Sequence, residues 1–93
     1  MSIKSKIRKD AAKINSLNSD FSRARSRCQG FVNESYSWWK GEAGKVLREE
    51  YKEIDTDIAK IILKMKSLES CTRRLANNVQ RADDNKKMKV QNF

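Results

Sequence analysis

The sequence contains no histidine and no proline, only three glycines and two cysteines. Without histidine, His-based catalytic triads, most zinc and haem sites and the usual pH switch are excluded. Without proline, nothing forces a helix to break except the central stretch that holds two of the three glycines, Trp38-Trp39-Lys40-Gly41-Glu42-Ala43-Gly44. No run approaches the ~20 apolar residues that span a bilayer. The first nine residues, Met1 to Lys9, are basic, and no apolar stretch follows, so they do not form a secretory signal peptide. The general export route is therefore not expected, while a specialised one stays open. The two cysteines, Cys28 and Cys71, are not in a Cys-x-x-Cys redox or metal motif.

What is present is charge and helical periodicity. Of 93 residues, 35% are charged and 38% hydrophobic, which suits long amphipathic helices better than a self-contained globule. The formal net charge is +9. It attracts nucleic acid, anionic membrane or acidic protein without choosing between them.

Two interleaved heptad series run through the first half. One is Ile7, Ile14, Phe21, Cys28, and the other is Ile3, Asp10, Leu17, Ala24, Phe31, Trp38. Asp10 interrupts the second, with Ala11 beside it as the substitute. This spacing predicts one helix from about Ser5 to Trp38, with Gly30 a weak point. The second half is cleaner. Leu47, Ile54, Ile61, Leu68, Leu75 and Ala82 form one series, and Tyr51, Ile58, Met65, Thr72 and Val79 the other. They predict a helix from about Glu42 to Ala82, roughly 60 Å long at the helical rise. Gly41 is placed to end the first helix in a left-handed conformation, with large rings plugging the corner.

A short connection between two long helices makes an antiparallel hairpin. The expected fold is thus all-α: a helix-turn-helix hairpin over residues 1–84, with the turn near 39–43, and a flexible basic tail over 85–93. Two helices leave much of each apolar stripe uncovered, so a four-helix bundle completed by dimerisation or by a partner is expected. The seam residues are Ile7, Ile14, Leu17, Phe21, Ile54, Ile58, Ile61, Met65 and Leu68. In this hairpin Cys28 and Cys71 are offset by ~18 residues, roughly 27 Å along the axis. A disulfide needs Cα atoms within about 7 Å, so the thiols are expected to be buried and unpaired. The open end, with Lys4, Lys6, Arg8, Lys9, Lys13, Arg73, Arg74, Arg81 and the lysine tail, should be strongly basic, and the turn end near neutral or mildly acidic.

No catalytic constellation emerges. There is no Gly-rich phosphate loop, the carboxylates of the second helix lie along a solvated face, and Ser35, Ser37 and Ser70 have no histidine to activate them. No enzymatic activity, metal, cofactor or small-molecule substrate is expected. Nucleic acid is disfavoured as a partner because aromatics do not alternate with the lysines. A membrane surface is disfavoured because the seam is narrow and flanked by acids.

Trp39-Lys40-Gly41, mid-chain between two heptad runs, resembles the motif of the WXG proteins, the early secreted antigenic target-like substrates of type VII secretion. Ala43 and Leu47 fall where that family has a small and a large apolar residue. The resemblance implies helical hairpins that pair as homodimers or heterodimers and leave the cell without a cleaved signal peptide, passing through the cytoplasm first. It also implies a Tyr-x-x-x-Asp/Glu export signal after the second helix. Here Val79-Gln80-Arg81-Ala82-Asp83 keeps the spacing and the acid but replaces tyrosine, giving Val79 and Asp83 as a degenerate signal. Tyr51-Lys52-Glu53-Ile54-Asp55 matches the letters but falls on the seam and reads as core. The positive charge and missing tyrosine fit a co-secreted companion of a larger LXG-type toxin, whose acidic helical N-terminal domain would supply the signal. On this reading Trp39 and Gly41 set the turn and present a surface to the secretion machinery, and a β-branched residue at Gly41 should damage the corner. The alternative is a cytosolic coiled-coil adaptor or a basic nucleic-acid-associated protein.

Overall fold

The computed structural model describes residues 2–91, and side chains through residue 87. It contains two helices, α1 (Ile3–Trp38) and α2 (Glu42–Gln91), joined by Trp39-Lys40-Gly41 into a helical hairpin. The all-α hairpin and the place of the turn agree with the sequence.

Helix α1 begins at Ser2, whose hydroxyl accepts the Ser5 N–H at 3.1 Å and whose carbonyl accepts the Lys6 N–H at 3.1 Å. That is N-cap geometry, and it starts the helix earlier than Ser5. At its other end the Trp39 N–H closes the last turn on the Ser35 carbonyl at 2.8 Å. Helix α2 opens with the Gly41 carbonyl accepting the Lys45 N–H at 3.2 Å, and Glu42 places a negative charge in its first turn. The helix continues past Ala82, where an end was expected, to Gln91. Asp83-Asp84-Asn85 does not stop it. Gln80 Nε2 donates to Asp84 Oδ1 at 2.9 Å, a pair four residues apart that supports the helix through this stretch. The expected flexible tail over 85–93 is thus helical as far as Gln91, and its last two residues lie outside the described ones.

The chain divides into two compact units, Leu17–Lys64 around the turn and Met1–Ser16 with Met65–Phe93 at the termini. In the terminal unit Ala11 and Ala76 are fully buried, and Ile7, Ile14, Met65, Thr72 and Val79 are half-buried. Arg8 Nη2 donates to Asn77 Oδ1 at 3.3 Å, and Lys4 donates to the Gln80 amide. In the corner unit the helices meet along Asn18, Phe21, Arg25, Val32, Ser35 and Trp39 on α1. Gly44, Arg48, Tyr51, Asp55, Ile58 and Ile62 face them on α2.

On each helix one expected series is inside and the other is not. Ile7, Ile14 and Phe21 pack between the helices, as do Tyr51, Ile58, Met65, Thr72 and Val79. The second position of the seam lies one residue further on than expected. Ala11, Asn18, Arg25 and Val32 occupy it on α1, and Arg48, Asp55, Ile62, Glu69 and Ala76 on α2. Four of the expected seam residues are therefore exposed: Leu17, Ile54, Ile61 and Leu68, at 61%, 53%, 44% and 55%. The buried apolar residues among those described are only Ala11, Val32 and Ala76, so the core is as thin as the composition implied.

Candidate partner-binding face

The corner is built by contacts that periodicity does not display. Ser35 is fully buried, and its hydroxyl donates to the Val32 carbonyl at 2.6 Å. Arg48 reaches back from α2 and donates through Nη1 to the Trp39 carbonyl at 2.8 Å. The same nitrogen lies 3.3 Å from Ser35 Oγ and 3.4 Å from the Ser35 carbonyl. Its guanidinium also stands 4.5 Å above the Tyr36 ring. Helix α1 has no basic residue in its own last turn. Arg48 supplies the cation that its free carbonyls and negative dipole end favour.

Gly44, not Gly41, is the glycine this corner requires. A Cβ on Gly44 would fall far inside contact distance of the Trp39 carbonyl oxygen and 2.9 Å from Trp39 Cγ. A Cβ on Gly41 meets open space, and no glycine among the described residues has a positive φ. The left-handed conformation expected at Gly41 is absent because the chain leaves α1 and enters α2 through an N-cap, which needs none. The Cβ of a residue substituted at Gly41 therefore meets no neighbour, and the clash expected to damage the corner lies at Gly44 instead.

Deeper in the corner unit, Asp55 collects three donors. Arg25 grips it bidentately, Nε to Oδ1 and Nη2 to Oδ2, each at 2.8 Å. Gln29 donates to Oδ1 at 3.2 Å and the Tyr51 hydroxyl at 3.4 Å. The Arg25 hydrogen bonds hold the Asp55 carboxyl below its usual range against the opposing effect of burial. Burial foremost, with the Asp55 charge behind it, pushes the Tyr51 phenol up. Arg25 is raised by the same hydrogen bonds. A carboxyl with a depressed pKa adds stability above its unfolded value and loses it as pH falls through that value to the folded one. Thermal melts from about pH 6 to about pH 3 should therefore show a steeper loss in the wild type than in Asp55→Asn. Asn18, 7% exposed, donates to the Ile62 carbonyl at 3.3 Å, and its own side-chain oxygen finds no partner. Polar groups of this kind in a seam fix register at some cost in stability.

These polar seam contacts turn the large apolar series outward. In the corner unit Leu17, Phe31, Trp38, Ile54 and Ile61 are all between 44% and 61% exposed. Phe31 from α1 and Leu47 from α2 line one groove of about 330 Å³ with Cys28, Val32, Tyr51 and Arg27. The outward series of the two helices therefore emerge on the same side. At its turn end Phe31 meets Trp38 edge-on at 5.9 Å, and Trp38 stacks on Trp39 at 5.8 Å and 9°. Exposed aromatics beside an apolar groove are the composition of a protein–protein hot spot.

Trp39 is half-buried against Gly44, and Gly41 is exposed. Val79 is half-buried in the seam of the terminal unit and Asp83 is exposed on the same helix, so this pair lies within α2 rather than after it. Tyr51 and Asp55 are seam residues. Both cysteines are unpaired but exposed, contrary to the burial expected of them. Cys28 borders the groove and Cys71 lies beside Arg74 at 3.6 Å. Cys28 continues the series of Ile7, Ile14 and Phe21, but Arg25, Val32 and Tyr51 occupy the space between the helices at its level and leave it at the groove's edge.

Sequence reasoning missed Arg48, Gly44 and the Arg25–Asp55 pair. For the pair a signal existed: Arg25 lies fifteen residues before Lys40 and Asp55 fifteen after it, so a hairpin turning there sets opposite charges level. No helix among the described residues is long and apolar enough to cross a membrane. In comparisons with known proteins, no family model, no curated protein and no solved structure matches this chain.

Proposed function

We propose that this chain is a WXG-like small helical protein of type VII secretion, exported as a substrate or as the co-secreted companion of a larger protein. It works by binding. Its outward apolar face pairs with a second helical hairpin, either another copy or a helical domain such as the N-terminal part of an LXG-type toxin, to complete a four-helix bundle. The observation that carries this reading is the exposure of large apolar residues from both helices on the surface of the corner unit. Leu17, Phe31, Trp38, Ile54 and Ile61 are left 44–61% exposed within the corner unit. The family part of the proposal rests on Trp39-Lys40-Gly41 at the turn and on the hairpin itself.

The face is tested by Phe31→Asp with Ile54→Asp. Both residues are more than half exposed, so helicity should stay within error of the wild type by circular dichroism. Self-association, measured by light scattering on a sizing column in about 1 M salt where the charge of the chain is screened, should be lost. Unchanged association would remove the face from the account. Secretion is tested by following the tagged chain in culture medium with and without the type VII apparatus, where only the intact strain should release it. Release from both strains would leave the binding face standing and remove the secretion assignment.

A further inference from the structure

The partner's chemistry can be read from where the charge sits. The terminal unit carries twelve lysines and arginines against four aspartates and glutamates, and the corner unit nine against eight. Almost the whole net charge therefore belongs to the terminal unit. Very little of it is neutralised there. Among the described residues that unit has one ion pair, Arg73 with Glu69 at 3.4 Å. Lys4, Arg8 and Arg81 meet the neutral amides of Gln80, Asn77 and Asn78 instead. Lys6, Lys9, Lys13, Lys66 and Arg74 are exposed.

These cations are not explained by helix stability. Lys4 and Lys6 stand at the start of α1, which has no acidic residue in its first turn. Positive charge there opposes the helix dipole. The same unit exposes Ile3 at 69%, Leu68 at 55% and Leu75 at 53%, so apolar and basic surface occur together. A bare phosphate backbone has no use for the apolar part. A helix with an apolar stripe flanked by acids uses both, as the flanking positions of helical bundles do.

We infer that the face is built for an acidic helical protein and against a second copy of this chain, an inference that rests on the pairing proposed above. A second copy brings another +9. Whatever the relative orientation of the two, that net repulsion opposes their encounter, whereas an acidic partner is steered in. Charge here acts as the selector between partners that the apolar face alone would accept equally.

The test uses the chain itself as the probe. Changing Lys6, Lys9, Lys13, Lys66, Arg74 and Arg81 to Glu takes the net charge from +9 to −3 and leaves the apolar face untouched. In about 0.1 M salt the mixed pair of wild type and this variant should associate at least about tenfold more tightly than wild type with itself. In about 1 M salt, where the screening length falls to about 3 Å, the two should converge. A second measurement needs no variant: wild-type self-association should strengthen as salt is raised, because repulsion is screened. If the wild type pairs with itself as tightly as with the variant at low salt, or weakens as salt rises, the charge inference is overturned while the pairing stands. If every mixture still associates after Phe31→Asp with Ile54→Asp, the pairing through this face falls and the inference falls with it.

Discussion

Gly44→Ala is expected to lower the melting temperature by about 10 °C, while Gly41→Ala changes it by no more than a few degrees. Helix propensity alone predicts the opposite sign at Gly44. That residue lies in α2, and exchanging glycine for alanine in a helix gains about 1 kcal/mol. The loss comes from the corner. The new methyl group would press on the Trp39 carbonyl oxygen and on the indole at Cγ and Cδ1, the latter two at 2.9 and 3.0 Å. A side-chain tip could move aside, but the backbone carbonyl is also held by Arg48. Overpacking of this kind costs about 1–3 kcal/mol and occasionally more, so the net effect is destabilising. At Gly41 the space is open, and alanine forfeits only the ~0.5–1 kcal/mol by which glycine is the better N-cap. Gly41→Ser should be neutral or slightly stabilising. Thermal melts of the three variants decide the matter. They also separate the two parts that the Trp39-Lys40-Gly41 resemblance assigns to Gly41. If Gly41 variants fold normally yet lose export, its role is a surface read by other proteins and not the turn.

The second large effect is expected at Arg48. Arg48→Met keeps the length and apolar stem of the side chain but leaves the Trp39 carbonyl and the Ser35 hydroxyl without their donor and removes the charge above Tyr36. Hydrogen bonds to charged groups are worth about 1.5–3 kcal/mol, so a loss of about 2 kcal/mol is expected. Arg48→Lys should recover only part of it, since a compact ammonium that reaches the Trp39 carbonyl cannot also lay a planar cation over the Tyr36 ring. Denaturant unfolding of both variants measures this. Equal stability of wild type and Arg48→Met would mean that α1 ends securely without the arginine.

Much of the fold was legible because long helices advertise themselves through repeat and spacing. Ile58, Met65 and Val79 at heptad intervals gave α2, and Trp39-Lys40-Gly41 gave the turn. Which half of the apolar stripe would be inside was not legible. A stripe wide enough for two neighbours looks the same whichever neighbour is present. The choice is made by Arg25 with Asp55, by Ser35 with Arg48, and by the contact-tight Gly44, and all of these read as interruptions when apolar periodicity is the signal. The end of α2 was misplaced for a related reason. Asp83-Asp84-Asn85 has the composition of a stop, but its first aspartates sit on a helix already paid for by the packing of Ala76 and Val79. The exposed apolar residues proposed as the partner face were visible only as an excess: Leu17, Ile54, Ile61 and Leu68 were counted into the seam and are the residues that the seam leaves over.

The most direct test of the account is the reactivity of Cys28, which borders the groove on the outward face of the corner unit. Its alkylation rate is to be followed by peptide mapping in the free chain and in complex with the charge-reversed variant, the latter carrying Cys28→Ser. The account predicts that Cys28 reacts freely in the isolated chain and at least about tenfold more slowly in the complex, because the partner covers the groove. Alkylation at the same rate in a complex shown by light scattering to be fully formed would contradict it, and would place the partner on some other surface of the hairpin.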